Sequence, residues 1–164
     1  MIKTLAIIGT AGRGDDYNKL TPRHYWRMVD AARSIISREN ITHLVSGGAA
    51  WSDWIVYEIP DLPKKTYLPA LDKDLQTAKY YHDRFLAKVP GVAKMSGEII
   101  NHGGFLDRNL LVARDADIFL TMTFGSGAEV KDGGTKHTVN AMLKQGKLGY
   151  HLDLQDLKLY KNAY

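Results

Sequence analysis

The chain has no cysteine among its 164 residues. Disulfides, thiolate zinc sites and cysteine nucleophiles are therefore excluded, and a stapled secreted fold is a poor description. Long apolar runs are missing as well. None approaches the roughly 20 residues that a membrane-spanning helix requires. The apolar start Leu5-Ala6-Ile7-Ile8 gives way at once to Gly9-Thr10-Ala11-Gly12, too soon for the core of a signal peptide. A cytoplasmic protein is expected. Charge of one sign is not concentrated either. Lys and Arg total 22 against 18 Asp and Glu, a net charge of +4, and the two signs are interleaved. Lys64-Lys65 and the lysines at 158 and 161 are small clusters, so a basic groove for nucleic acid is possible but not favoured. The histidines (His24, His43, His82, His102, His137 and His151) are scattered, without an H-E-x-x-H spacing, so no metal is expected, and no cofactor.

What is present reads as one α/β domain. The apolar fraction of 45% and charged fraction of 24% are those of an ordinary globular chain, and 164 residues suffice for one core. Short apolar runs at 3–8, 43–45, 65–68, 117–121 and 148–152 predict about five strands. Helical patterns lie between them, which predicts a mainly parallel sheet with helices on both faces. Thr21-Pro22 reads as an N-cap with proline at the first helical position, and Trp26, Val29, Ala32 and Ile36 then form a stripe running toward Asn40. Further helices are expected over 51–58, 72–88, from about 106 to 113, and over 135–145, the last closed by Gly146. Leu75, Tyr81 or His82, and Phe85 would face inward from the helix over 72–88. Residues 90–104 read as loop, and a short polar tail starts at about 153.

The glycines fall where ligands bind in such a sheet. Gly9-Thr10-Ala11-Gly12-Arg13-Gly14 follows the first strand, Ser46-Gly47-Gly48-Ala49 the second, and Gly133-Gly134-Thr135 the fourth after a long loop. Loops after parallel strands gather along the carboxyl edge. Glycine lets backbone approach a ligand, and free N–H groups at a helix start favour phosphate or carboxylate. With Arg13 as counter-charge, these loops predict an anion cradle. There is no G-x-x-x-x-G-K-[ST], and Gly9, Gly12 and Gly14 do not make G-x-G-x-x-G, so neither a P-loop NTPase nor an ordinary dinucleotide dehydrogenase is indicated.

Several segments resemble one superfamily. Val45-Ser46-Gly47-Gly48-Ala49-Ala50-Trp51-Ser52-Asp53 resembles the S-G-G-A-x-G-x-D segment of the SLOG proteins, which include Smf/DprA-like, Lonely-guy and YspA-like branches. Phe105-Leu106-Asp107-Arg108-Asn109 followed by Ala113-Arg114-Asp115-Ala116-Asp117 is similar to the R-N and A-D elements of the YspA-like branch. Gly133-Gly134-Thr135-Lys136-His137-Thr138-Val139 resembles its closing G-G-T-x-x-T-V. The resemblance covers most of residues 3–150 in the same order. It implies a Rossmann-like domain that binds a nucleotide or nucleotide-derived molecule, a cyclic or signalling nucleotide included, and a homo-oligomer. Its ligand contacts would include Thr10, Thr138 and Asp53, while Arg108 and Asn109 either reach the pocket or only tie their helix to the sheet. Trp51 stands where the pattern has a small residue and would narrow or stack on one side of the pocket. Tyr80-Tyr81, Trp51 and Trp54 offer stacking surfaces, or belong to the core.

The Lonely-guy enzymes carry glutamates after their glycine motif, where this chain has Lys136, His137 and Thr138. A binding protein is therefore the leading expectation. The alternative is an N-glycosidase acting on nucleoside 5′-monophosphates, because the first glycine loop is similar to that of deoxynucleoside-monophosphate N-hydrolases. Glycosidic cleavage needs a carboxylate beside the sugar and an acid near the leaving base. Glu129 and Asp132 are the candidate carboxylates and His137 the candidate acid or base. A DprA-like single-stranded DNA-binding accessory protein is a further alternative.

Overall fold

The computed structural model describes residues 1–161. The strands are β1 (Thr4–Gly9), β2 (His43–Ser46), β3 (Lys64–Leu68), β4 (Glu98–Asn101), β5 (Ile118–Thr123), β6 (Leu148–Asp153) and β7 (Lys158–Lys161). They form one seven-stranded sheet in the order β4-β3-β2-β1-β5-β6-β7. All neighbours are parallel except β6 and β7, which pair antiparallel. The expected Rossmann-like α/β class is thus found.

Successive residues of a strand point to opposite faces, and that period divides the core in two. Leu5 and Ile7 of β1 pack into one cluster with Ile118, Leu120 and Met122 of β5. Ala6 and Ile8 join Phe119 in the other. The first cluster is covered by α2 (Pro22–Arg38), a 3-10 segment (Asp53–Glu58) and α3 (Asp72–Lys88), which contribute Tyr25, Met28, Ile55 and Phe85. The second is covered by α4 (Phe105–Asp115) and α5 (Gly134–Lys144) through Val112, Ala113, Val139 and Met142. Fully burying such a side chain contributes roughly 1.5–3 kcal/mol before the entropy of ordering it is offset.

The helix ends follow their local chemistry. Thr21 does cap α2, with Pro22 beside it, and its N–H donates to His24 Nδ1 at 3.1 Å. Gly146, at φ +73°, takes the left-handed position after α5, and Lys147 N–H reaches the Met142 carbonyl at 3.2 Å.

The sheet has seven strands rather than about five, and both extra strands are edges. β4 lies within the segment expected to be loop, and β7 within the expected polar tail. β4 is largely exposed, Ile99 included at 44%, so it lacks the alternation that marks a strand half in the core. The segment after Trp51 is a 3-10 turn instead of an α-helix, and a single short turn, α1 (Asp16–Lys19), follows the first glycine loop. On α2 the buried face is Tyr25, Met28, Val29, Ala31, Ala32 and Ile35, while Trp26 is 44% exposed. The Tyr25 hydroxyl donates to Glu58 Oε2 at 2.8 Å, which turns that side of the helix inward. Of the residues expected to face inward from α3, only Phe85 is fully buried.

The strand order reverses between β1 and β5. The chain steps from β1 outward through β2, β3 and β4, then returns to place β5 on β1's other flank. Connections leaving in opposite directions open a crevice at the carboxyl ends of these two strands, above Gly9 and Thr123.

Candidate functional site

That crevice is a cleft of about 440 Å³, a size suited to one small molecule. Its floor is the end of β1, Ile8 to Ala11, with Thr123 of β5 beside it. One wall is the start of α4, with Phe105, Arg108 and Asn109, and the other is Lys131 to Thr135 leading into α5. Gly133 has no side chain to cap α5, so the first turn, with Gly134 and Thr135, opens onto the cleft. Thr135 Oγ1 donates to the Gly9 carbonyl at 3.2 Å and Thr138 Oγ1 to the Gly134 carbonyl at 3.2 Å, which fix this helix start against the first loop.

The second loop supports the cleft from beneath. Ala49 and Asp53 reach the cleft, whereas Gly47 and Gly48 line a smaller recess of about 20 Å³ that adjoins it. Ser46 is fully buried and reaches neither; its Oγ accepts from Gly48 N–H at 3.4 Å. Arg108, expected either to enter the pocket or to tie its helix to the sheet, does both. Its guanidinium donates to the carbonyls of Gly47 and Tyr67, and it lines the cleft and the recess. The residue is 6% exposed and its Nε has no hydrogen-bond partner among the described residues.

Asp53, 5% exposed, accepts from Ala49 N–H at 3.3 Å. Burial raises its pKa, opposed by the Arg108 charge and by N–H donors from Ala49, Gly47 and Gly9. Burial likewise lowers the pKa of Arg108, while Asp53 holds it up and the like charge of Arg13 pushes it down further. Arg13 is exposed, and among the described residues it makes no ion pair or hydrogen bond. Its guanidinium lies over two rings, 5.0 Å from the centre of Tyr81 and 4.9 Å from that of Phe105. Arg108 lies over the same Phe105 ring at 5.4 Å. Two guanidinium groups thus meet at one aromatic ring, and the carboxylates of the buried Asp53 and of Asp74 offset the charge of Arg108.

Of the residues proposed for chemistry, Asp132 lines the cleft. Its side chain is 93% exposed and pairs with Lys136 at 3.1 Å. Glu129 is 75% exposed, lies 3.8 Å from the same lysine, and is outside the cleft lining. His137 is exposed on α5 and is also outside that lining. Trp51, expected either to stack beside the ligand or to belong to the core, is fully buried and packs 4.9 Å from Phe85. Its backbone is left-handed, φ +63°, and its ring lies in the core beneath Gly12. Trp54 is buried as well, and Tyr80 is exposed, leaving Tyr81 as the ring of that set beside the recess.

Two arrangements in the cleft were not expected from the sequence. Asp16 joins the two long loops: its Oδ2 accepts from Thr10 Oγ1 at 2.6 Å and its Oδ1 pairs with Lys131 Nζ at 2.8 Å. Thr123 lies against the fully buried His151. Gly127's carbonyl, 2.6 Å from Nδ1, requires a proton there, so Nε2 accepts the Thr123 hydroxyl at 2.8 Å. Thr123 Oγ1 in turn accepts from Lys131 N–H at 3.1 Å. Burial lowers the His151 pKa, which keeps this neutral form. Among the described residues no group of three or more His, Asp or Glu side chains gathers where it could hold a metal ion, and no helix is long and apolar enough to cross a membrane.

No family model matches the chain. It is 28% identical over 182 aligned positions, 92% of this chain and 96% of the other, to the uncharacterized protein R261 of Acanthamoeba polyphaga mimivirus. The similarity therefore runs along nearly the whole of both chains, and that protein's name gives it no activity.

Proposed function

We propose that the protein binds a phosphate-bearing nucleotide or nucleotide-derived molecule in the cleft at the carboxyl ends of β1 and β5. The observation that carries this reading is the meeting of Arg13 and Arg108 at Phe105, opposite the uncapped start of α5. Like charges drawn together repel, and the charge of Arg13 helps push the Arg108 pKa down; a phosphate in the cleft beside them offsets that cost. The helix start adds N–H donors and a partial positive charge to the same space. The resemblance of residues 45–53, 105–117 and 133–139 to SLOG segments supports the same ligand class.

Binding is favoured over N-glycoside hydrolysis by the state of the carboxylates that line the cleft. Asp16 is held by Lys131, Asp53 is buried beneath Arg108, and Asp132 points to solvent beside Lys136. None is a pair of carboxylates facing one sugar.

The test is a thermal-unfolding panel of nucleoside mono-, di- and cyclic phosphates, run on wild type and Arg13→Ala. A ligand that binds only the folded state raises the midpoint. At least one nucleotide is expected to raise it in wild type and less in the variant. No shift with any member at millimolar concentration overturns the reading. Chromatography of the same mixtures for free base decides between binding and hydrolysis.

A further inference from the structure

The small recess beside the cleft has chemistry of its own. It is bounded by Gly47, Gly48, Leu68, Ala78, Tyr81 and Phe105, and is almost wholly apolar apart from the two arginines at its rim. Its open space of about 20 Å³ would hold roughly one water. On its rim the Arg13 guanidinium, a flat cation, lies over both Tyr81 and Phe105 and, among the described residues, is held by their ring faces alone. An exposed cation–π contact is weaker than a charge-assisted pair with a phosphate, so a phosphate in the cleft outcompetes it. Arg13 borders both spaces.

Resting on the phosphate-binding reading above, we propose that the recess is the subsite for the ligand's planar heteroaromatic ring, with Arg13 as its gate. In the unliganded protein the guanidinium occupies the slot at Tyr81 and Phe105. A phosphate in the cleft draws it away, and the base enters the vacated slot to stack on those rings. Position 48 admits no side chain without disturbing the wall of the slot: a β-carbon on Gly48 would stand 2.6 Å from Cδ2 of Leu68, which lines the recess, and 2.8 Å from Thr66 Cγ2. The device couples the two halves of the ligand. A phosphate without a base binds but leaves two aromatic faces uncovered, and a base without a phosphate meets a closed slot.

The test is titration calorimetry of wild type, Arg13→Ala, Tyr81→Ala and Phe105→Leu with four probes: AMP, CMP, ribose 5-phosphate and adenosine. Wild type is expected to bind the better nucleotide on the order of tenfold more tightly than ribose 5-phosphate, and adenosine least of all. In Tyr81→Ala and Phe105→Leu the nucleotide-to-ribose-phosphate ratio falls toward one. In Arg13→Ala the nucleotides weaken while adenosine binds more tightly than it does to wild type, because the slot stands open. Equal affinity of wild type for both nucleotides and ribose 5-phosphate, or a ratio that survives in both ring variants, overturns the subsite and leaves the phosphate reading standing. Adenosine binding that is no tighter in Arg13→Ala overturns the gate. Failure of every phosphate probe to bind overturns both readings together.

Discussion

The Arg108 guanidinium occupies the space that a side chain at position 47 would need. A β-carbon there would stand 2.5 Å from Arg108 Cζ and 2.8 Å from Asp53 Oδ2, and the guanidinium donates to the Gly47 carbonyl. The glycine of the second loop is thus a close-approach residue whose absent side chain lets a buried arginine and a buried aspartate come together beneath the cleft.

Gly47→Ala should therefore act through Arg108. Its Cβ displaces the guanidinium from beneath the cleft, which removes one of the two cations that meet at Phe105. Nucleotide affinity should fall about tenfold or more, and stability by roughly 1–3 kcal/mol for an overpacked interior. Gly91→Ala is the control, because nothing lies within 4 Å of a β-carbon there. Calorimetry and urea unfolding measure the two effects; a Gly47→Ala protein that matches Gly91→Ala in both denies Arg108 its role.

Asp53→Asn separates charge from shape at the same spot. The folded protein raises the Asp53 pKa through burial. A raised acid pKa means that the folded state holds the proton more tightly than the unfolded chain. The contribution to stability is then full below the unfolded value, about 3.9, and is lost as pH rises through the folded one. Asn cannot titrate. The stability of Asp53→Asn minus that of wild type should increase with pH above that value and then level off. Urea unfolding at a series of pH values from acid to neutral measures it, and a difference independent of pH would show the pair to be fully compensated.

Much of the frame was legible in the sequence because it rests on local pattern. β1, β2, β5 and β6 are largely apolar because the sheet buries them on both faces, β3 is marked by Thr66, Tyr67 and Leu68, and the glycine loops follow three of those strands. β4 and β7 were not legible, since an edge strand such as exposed Ile99 carries no alternation to read. The site divides in the same way. Gly133, Gly134 and Thr135 announce an open helix start by composition alone. Asp16 and Lys131 are separated by 115 positions and meet only because β1 and β5 are neighbours. Trp51 could be read as a stacking surface or as core, and the choice was not legible because it rests on a left-handed backbone that turns the ring into the core.

His151 should give the opposite slope to Asp53. Burial lowers its pKa, so the unfolded chain takes up the proton first as pH falls. Its stability contribution is full above the unfolded value near 6.5 and declines as pH falls through it toward the folded value. His24 and His82 are shifted in the same direction by burial, so the contribution of His151 is read from the difference between wild type and His151→Gln. Wild type should lose stability relative to the variant between neutral and mildly acid pH. Amide exchange at Gly127 and Lys131, whose loop is pinned to His151 directly and through Thr123, should quicken in the variant at every pH. Unchanged exchange there would detach the histidine from the loop that frames the cleft.

Lys131 presents two roles that a single substitution would confuse. It pairs with Asp16 at 2.8 Å across the mouth of the cleft, yet its side chain is 45% exposed. A pair so open to water contributes no more than about 1 kcal/mol, so Lys131→Met should barely change the unfolding midpoint. If its work is to hold the two loops together, Lys131→Met and Asp16→Asn should each weaken nucleotide binding, and the double variant should weaken it no further than either alone. If the ammonium instead serves the ligand directly, Asp16→Asn frees it and binding tightens, while Lys131→Met weakens it. The short bonds on both sides of Asp16, to Thr10 at 2.6 Å and to Lys131, favour the bridging role. The expected result is therefore two weakened single variants with strong coupling between them; tighter binding by Asp16→Asn would reverse the assignment.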